Sequence, residues 1–176
     1  MAFMLLLFLM LPFISEKHEL WLAAERGDIH TIRALINDGA DLNATDERGD
    51  SALIISVFKG NEEIVKLLLD RGADPNIHDK DFPSALMIAS NEKIALYLIK
   101  AGASINEKDH NGDTPLIYAV RLQRSKIATM LIATGADIDI SNKKGETALS
   151  IANKIGDQYI KNIIIEAKAK NQNKKK

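Results

Sequence analysis

Apolar side chains return along this chain in short helical runs, two runs at a time, and each pair closes on a glycine. From Ala52 to Phe58 nearly every side chain is apolar, and Lys59-Gly60-Asn61 interrupts the run. Ile64, Val65, Leu67 and Leu68 then recur at the three-and-four spacing of one helix face. Gly72 suits the left-handed residue that ends a helix without a Cβ penalty. A polar stretch of Asp, Asn and Gly follows, which reads as an extended turn. The predicted unit is helix, turn, helix, glycine, polar turn.

The unit repeats. Gly39-Ala40-Asp41-Leu42-Asn43 returns as Gly72-Ala73-Asp74-Pro75-Asn76, Gly102-Ala103-Ser104-Ile105-Asn106 and Gly135-Ala136-Asp137-Ile138-Asp139, at intervals of 33, 30 and 33 residues. A period near 33 marks a stacked array, not a single globular core. Gly49, Gly112 and Gly145 keep the same beat, with Phe82 in the equivalent slot of the third copy. Two residues later stands Ser51, Ser84, Thr114 or Thr147, whose hydroxyl suits a helix N-cap. Pro115 fits the first helical position, where no N–H is needed. No copy places Glu or Gln three residues after its cap, so a reciprocal capping box is not expected.

Helix, turn, helix, glycine and polar turn, with Thr114-Pro115-Leu116 opening one first helix, resembles the ankyrin repeat. The resemblance covers residues 16–165, in units at about 16–45, 46–78, 79–108, 109–141 and 142–165. It implies an all-α solenoid of stacked helix-turn-helix units with projecting polar turns. The family's usual Thr-Pro-Leu-His is incomplete here. Its histidine slot holds Trp21, Ile54, Met87, Ile117 and Ser150, which shifts the stack toward apolar contact. The first and fifth units carry polar features such as Glu16-Lys17-His18-Glu19, as the ends of a stack require.

The third unit is three residues short. Ala52 to Gly72 spans 20 residues and Ala85 to Gly102 only 17, with the loss between Ser90 and Asn91. Three residues are most of one helical turn, so a clipped first helix and an abrupt turn at Ser90-Asn91 are expected.

Charge separates the body from its ends. Residues 16–165 hold 18 Lys and Arg against 23 Asp and Glu, a net −5, whereas residues 166–176 hold five lysines against Glu166. The body has no basic face suited to a phosphate backbone, so nucleic acid is not an expected partner. The lysine-rich tail, 166–176, lacks apolar residues beyond alanine and reads as disordered. Residues 1–15 form a hydrophobic leader outside the repeat pattern. Met1 to Ile14 is too short for an ordinary spanning helix and has the length of a signal-peptide core. The readings are a signal peptide or membrane anchor, which would allow membrane contact and export, or else a flap over the first repeat or a start site read too far upstream.

No catalytic motif emerges. The histidines, His18, His30, His78 and His110, form no metal-binding pair at helical spacing, and there is no cysteine, phosphate loop or nucleophile elbow. The recurrent Asp and Asn of the turns read as turn chemistry, with side chains bonding to backbone. The expectation is a monomeric, non-enzymatic protein without cofactor or metal. The resemblance implies a concave face, built from polar turns and first helices, that binds a partner protein. By position, the contacting residues are Arg48, Asp50, Phe58, Lys59, Lys80, Asp81, His110, Asn111, Asp113, Arg121 and Lys143, beside Glu47, Lys144, Glu146, Glu25, Arg26 and Leu122. The alternative is an exported or membrane-held accessory protein that supports a neighbouring enzyme.

Overall fold

The computed structural model describes residues 18–78 and 83–173. The leader of residues 1–15, the finger residues Lys80 and Asp81, and the last three lysines lie outside the described residues. Five helix pairs follow one another. They are α1 (18–26) with α2 (Ile29–Asn37), α3 (Ala52–Lys59) with α4 (Glu62–Asp70), and α5 (Ala85–Ile88) with α6 (Glu92–Lys100). The last two are α7 (Pro115–Arg121) with α8 (Ser125–Ala133), and α9 (Ala148–Ile155) with α10 (Gln158–Asn173). First helices pack on first helices, α3 on α5 on α7 on α9, and second helices on second helices, α2 on α4 on α6 on α8 on α10. Between the two layers runs a ladder of apolar side chains. Leu35, Leu68, Leu98, Leu131 and Ile164 form one column, one per unit, all buried. Each fully buried side chain of this size stabilises the fold by about 1.5–3 kcal/mol. Because every unit touches only its neighbours, stability is a sum of units and interfaces.

The polar turns, or fingers, are built by one device. The Asp46 carboxylate accepts N–H bonds from Arg48 at 2.8 Å and Asp50 at 2.9 Å. Asp109 does the same for Asn111 and Asp113, and the Asn142 carbonyl oxygen for Lys144 and Glu146. Burial pushes the Asp46 carboxyl up, but the N–H bonds from Asp50 and Arg48 outweigh it and hold it below the usual carboxylate range. Asparagines tie unit to unit. Asn43 accepts from the Asp74 N–H at 2.9 Å, Asn76 from Ser104 at 2.8 Å and Asn106 from Asp137 at 2.8 Å. The turn chemistry expected of these residues is present, and it also links neighbours 28 to 31 residues apart.

Capping departs from expectation twice. Ser51, Thr114 and Thr147 cap their helices through the side chain. Ser84 does not, and its hydroxyl is buried without a partner. There the Met87 N–H is already bonded to the Ser84 carbonyl, closing a single tight turn. A reciprocal capping box does occur, at Thr147, because Ser150 substitutes for the usual Glu.

The third unit is clipped, with α5 at four residues against eight, seven and eight for α3, α7 and α9. Helix ends leave carbonyls without partners. Here Arg124 supplies them: its guanidinium donates to the carbonyls of Met87 at 3.3 Å, Ile88 at 3.2 Å and Ala89 at 3.0 Å. Arg124 stands at the N-cap of α8, a slot held elsewhere by Asp28, Asn61 and Asn91. It cannot accept a capping bond and reaches back to the short helix instead.

The tail is corrected as well. Helix α10 does not stop near residue 165 but runs to Asn173. The slot that ends the earlier second helices with Gly39, Gly72, Gly102 or Gly135 is Lys168, which has no advantage in the left-handed region, so the helix continues. Lys168 pairs with Asp139, the residue in the asparagine-ladder slot of unit four. On this terminal face Ser150, Asn153 and Lys161 are polar where unit four has Ile117, Val120 and Ala128. Among the described residues no helix is long and apolar enough to cross a membrane.

Candidate protein-binding face

Fingers and first-helix ends carry the side chains that the core does not use. Phe58, at the end of α3, is 73% exposed. Leu122 follows α7 at 49% and Ile155 ends α9 at 38%. An aromatic or branched side chain left this open on three units of one edge is the apolar component an interface needs. The other exposed large apolar side chains among the described residues, Tyr159 and Ile165, stand on α10. Exposed lysines of the second helices are mostly paired instead: Lys66 with Asp70, Lys93 with Glu62, Lys126 with Glu92.

The expected contact residues divide into three groups. His110, Asn111 and Lys143 are exposed at the finger tips. Arg48, Asp50 and Lys59 lie at the surface but are engaged. Arg48 pairs with Asp46 at 3.4 Å and lies 6.0 Å above the Trp21 ring, while Lys59 pairs with Glu25 at 3.8 Å. Asp50 is half-buried at the base of its finger, where its carbonyl accepts the Asp46 N–H at 3.0 Å.

Asp113 is the exception. It was expected at the surface and is buried, with 4% of its side chain exposed. The next finger covers it: Asn142 donates to Asp113 Oδ1 at 2.7 Å, and Arg121 clasps the carboxylate with both guanidinium nitrogens. Burial pushes the Asp113 carboxyl up, but the bonds from Arg121 and Asn142 outweigh it and hold it below the usual range. Asp113 is therefore a structural tie, and Arg121, which also lies 3.5 Å from Glu146, is its partner before it is anyone else's. Beside them Tyr118 donates its hydroxyl to Asp109 at 3.0 Å, and burial together with that bond pushes the phenol up to about 12.

Two fingers meet here closely. The Lys143 N–H donates to the Asn111 carbonyl at 2.8 Å. Gly112, at φ 78°, has no side chain to hold them apart, and a Cβ there would sit 3.2 Å from the Lys143 nitrogen. The result is an open groove between units four and five, lined by Asn111, Asp113, Arg121, Asn142, Lys143, Lys144, Glu146, Ile151, Lys154 and Ile155. It gathers Asn111, Asp113, Arg121 and Lys143 from the expected set. Phe58 and Lys59 stand two units away, beyond the clipped helix. Ile155, Lys154 and Asn142 were missed. The signal for the first two was available, because they occupy the Lys59 and Phe58 slots of the fifth unit.

The histidines take ordinary places. His78 lies 3.1 Å from Glu107, and among the described residues no three His, Asp or Glu side chains are grouped as a metal would require.

The chain matches the family model for ankyrin repeats in three overlapping copies, over residues 14–79, 71–142 and 86–176. A search of the curated proteins found no match. Glycine beat, five stacked helix pairs, bonded fingers and family match agree: the chain belongs to the ankyrin repeat family, whose repeats are generally protein–protein interaction modules.

Proposed function

We propose that this protein is a non-enzymatic interaction module that binds a partner protein across the concave face formed by its fingers and first-helix ends. The observation that carries the reading is the row Phe58, Leu122 and Ile155. These are large apolar side chains left in water at the ends of three first helices, although the other described apolar residues of the first helices are buried or half-buried. Finger-tip groups, His110, Asn111, Lys143 and Lys144, supply the polar rim that surrounds such anchors. Arg121 and Asp113 contribute rigidity, since their bonds fix one finger against the next.

The test is a paired comparison of captured partner. Phe58→Ala with Leu122→Ala removes exposed side chains only, so melting is unchanged while binding weakens by roughly tenfold or more, the usual cost of losing anchors. Lys66→Glu with Lys126→Glu, on the second helices, leaves binding in place. Binding lost in the second pair and kept in the first would put the interface on the other face.

A further inference from the structure

Ion pairing neutralises much of the charge on the finger edge, and among the described residues it leaves two adjacent lysines of one groove without a carboxylate partner. Arg48, Lys59, Arg121 and Lys154 each face a carboxylate within 4 Å. Lys143 and Lys144 have none within that distance among the described residues, and both are exposed. They line the groove between units four and five. The groove's own carboxylates are already engaged. Asp113 is held by Arg121 and Asn142, and Glu146 by Arg121 at 3.5 Å, Lys154 at 3.4 Å and Asn142 at 3.2 Å. Four cations against two carboxylates make the groove net positive in a body whose charge is −5.

The groove is also partly apolar and held in shape. Ile155 is 38% exposed at its wall and Ile151 is buried beneath. Both lysines have anchored backbones: the Lys143 N–H is bonded to the Asn111 carbonyl at 2.8 Å, and the Lys144 N–H to Asn142 at 2.9 Å. A site whose backbone is fixed before binding loses less freedom when it is filled. Rim charges of this kind steer and select a partner of opposite sign.

We propose that this groove takes an acidic segment of the partner protein in which carboxylates flank a branched apolar side chain, the carboxylates meeting Lys143 and Lys144 and the apolar group meeting Ile155. The proposal rests on the concave-face reading and gives that face its partner chemistry. Nucleic acid fits the site poorly. Four cations, two of them committed to carboxylates, are a small charge in a negative body, and no aromatic side chain lines the groove for a base to stack on.

The probe is a short fluorescein-labelled peptide of alternating glutamate and leucine, titrated with the full chain by anisotropy. It should bind, weaken as salt is raised, and bind roughly tenfold more weakly to the Lys143→Glu, Lys144→Glu protein, a loss of about 1.4 kcal/mol. Lys143→Gln with Lys144→Gln should fall between, with melting unchanged. Arg71→Glu with Lys100→Glu makes the same change in net charge away from the groove and should leave binding intact. Ile155→Ser should weaken the alternating peptide and leave an all-glutamate peptide unaffected. No binding by the wild-type chain, equal loss in the Arg71, Lys100 control, or equal affinity for an oligonucleotide of the same charge would overturn the proposal. If the peptide fails while Phe58→Ala with Leu122→Ala still releases the captured partner, the groove is wrong and the face stands. If both fail, the face is wrong too.

Discussion

Gly112→Ala isolates the contact between fingers from the backbone conformation of a single glycine. Gly112 and Gly145 occupy the same slot in successive fingers, at φ 78° and 73°. An alanine held in the left-handed region costs roughly 1–2 kcal/mol in either place. The surroundings differ. Around Gly145 a Cβ meets nothing within 4 Å, whereas at Gly112 it meets the Lys143 nitrogen at 3.2 Å and the Asn142 Cα at 3.3 Å. Both neighbours are backbone, so the fifth finger must move by a few tenths of an ångström. That strains the 2.8 Å bond from the Lys143 N–H to the Asn111 carbonyl, worth about 1 kcal/mol, and loosens packing by a similar amount. Gly112→Ala should therefore destabilise the protein by about 1–2 kcal/mol more than Gly145→Ala. At roughly 2–4 °C per kcal/mol for a chain of this size, thermal melts followed by circular dichroism should separate the two variants by about 2–8 °C. Equal melting temperatures would show that the fingers do not touch as described.

Other residues give independent tests. Gln123 is the one non-glycine residue at positive φ among those described, in the slot of Gly27, Gly60 and Gly156, so Gln123→Gly should raise stability by about 0.5–1 kcal/mol in urea titration. Arg124→Asn restores an N-cap but uncaps α5; the three carbonyls lose their donor, and stability should fall by about 2 kcal/mol, with faster amide exchange concentrated at 85–91. The Asp113 carboxyl titrates below its unfolded range, so its stabilisation is full above the ordinary carboxylate value and is lost as pH falls through the folded one. Asp113→Asn should accordingly start less stable at neutral pH and lose less than wild type on acidification, read from melts across that range.

Much of the fold was legible because backbone chemistry repeats in sequence. A left-handed residue is needed at each turn, and glycine marks nearly all of them. The clipped α5 was legible as a missing three residues. What depends on reach across units was not. Asp113 and Asp50 share a slot and read alike. That Asn142 reaches Asp113 from the next finger is not written in the slot itself. Arg124 finds its carbonyls 35 to 37 residues away. The length of α10 is a different case: Lys168 in a glycine slot was a visible sign, but lysine-rich composition reads as disorder when the missing stop is not weighed. At the site, exposure of Phe58 and the finger tips followed from position, whereas the pairing of Lys59 with Glu25 and of Arg121 with Glu146 required partners that only the stack brings near.

The central claim is that one face of the stack, fingers and first-helix ends, meets a partner protein. It is tested most directly by placing a photo-crosslinking amino acid singly at positions 58, 122 and 155, and at positions 66 and 126 on the second helices, and irradiating the protein in its own cells. A discrete adduct of one mass from 58, 122 and 155, and none from 66 and 126, is the predicted result. Adducts from 66 and 126 with none from the other three would contradict it.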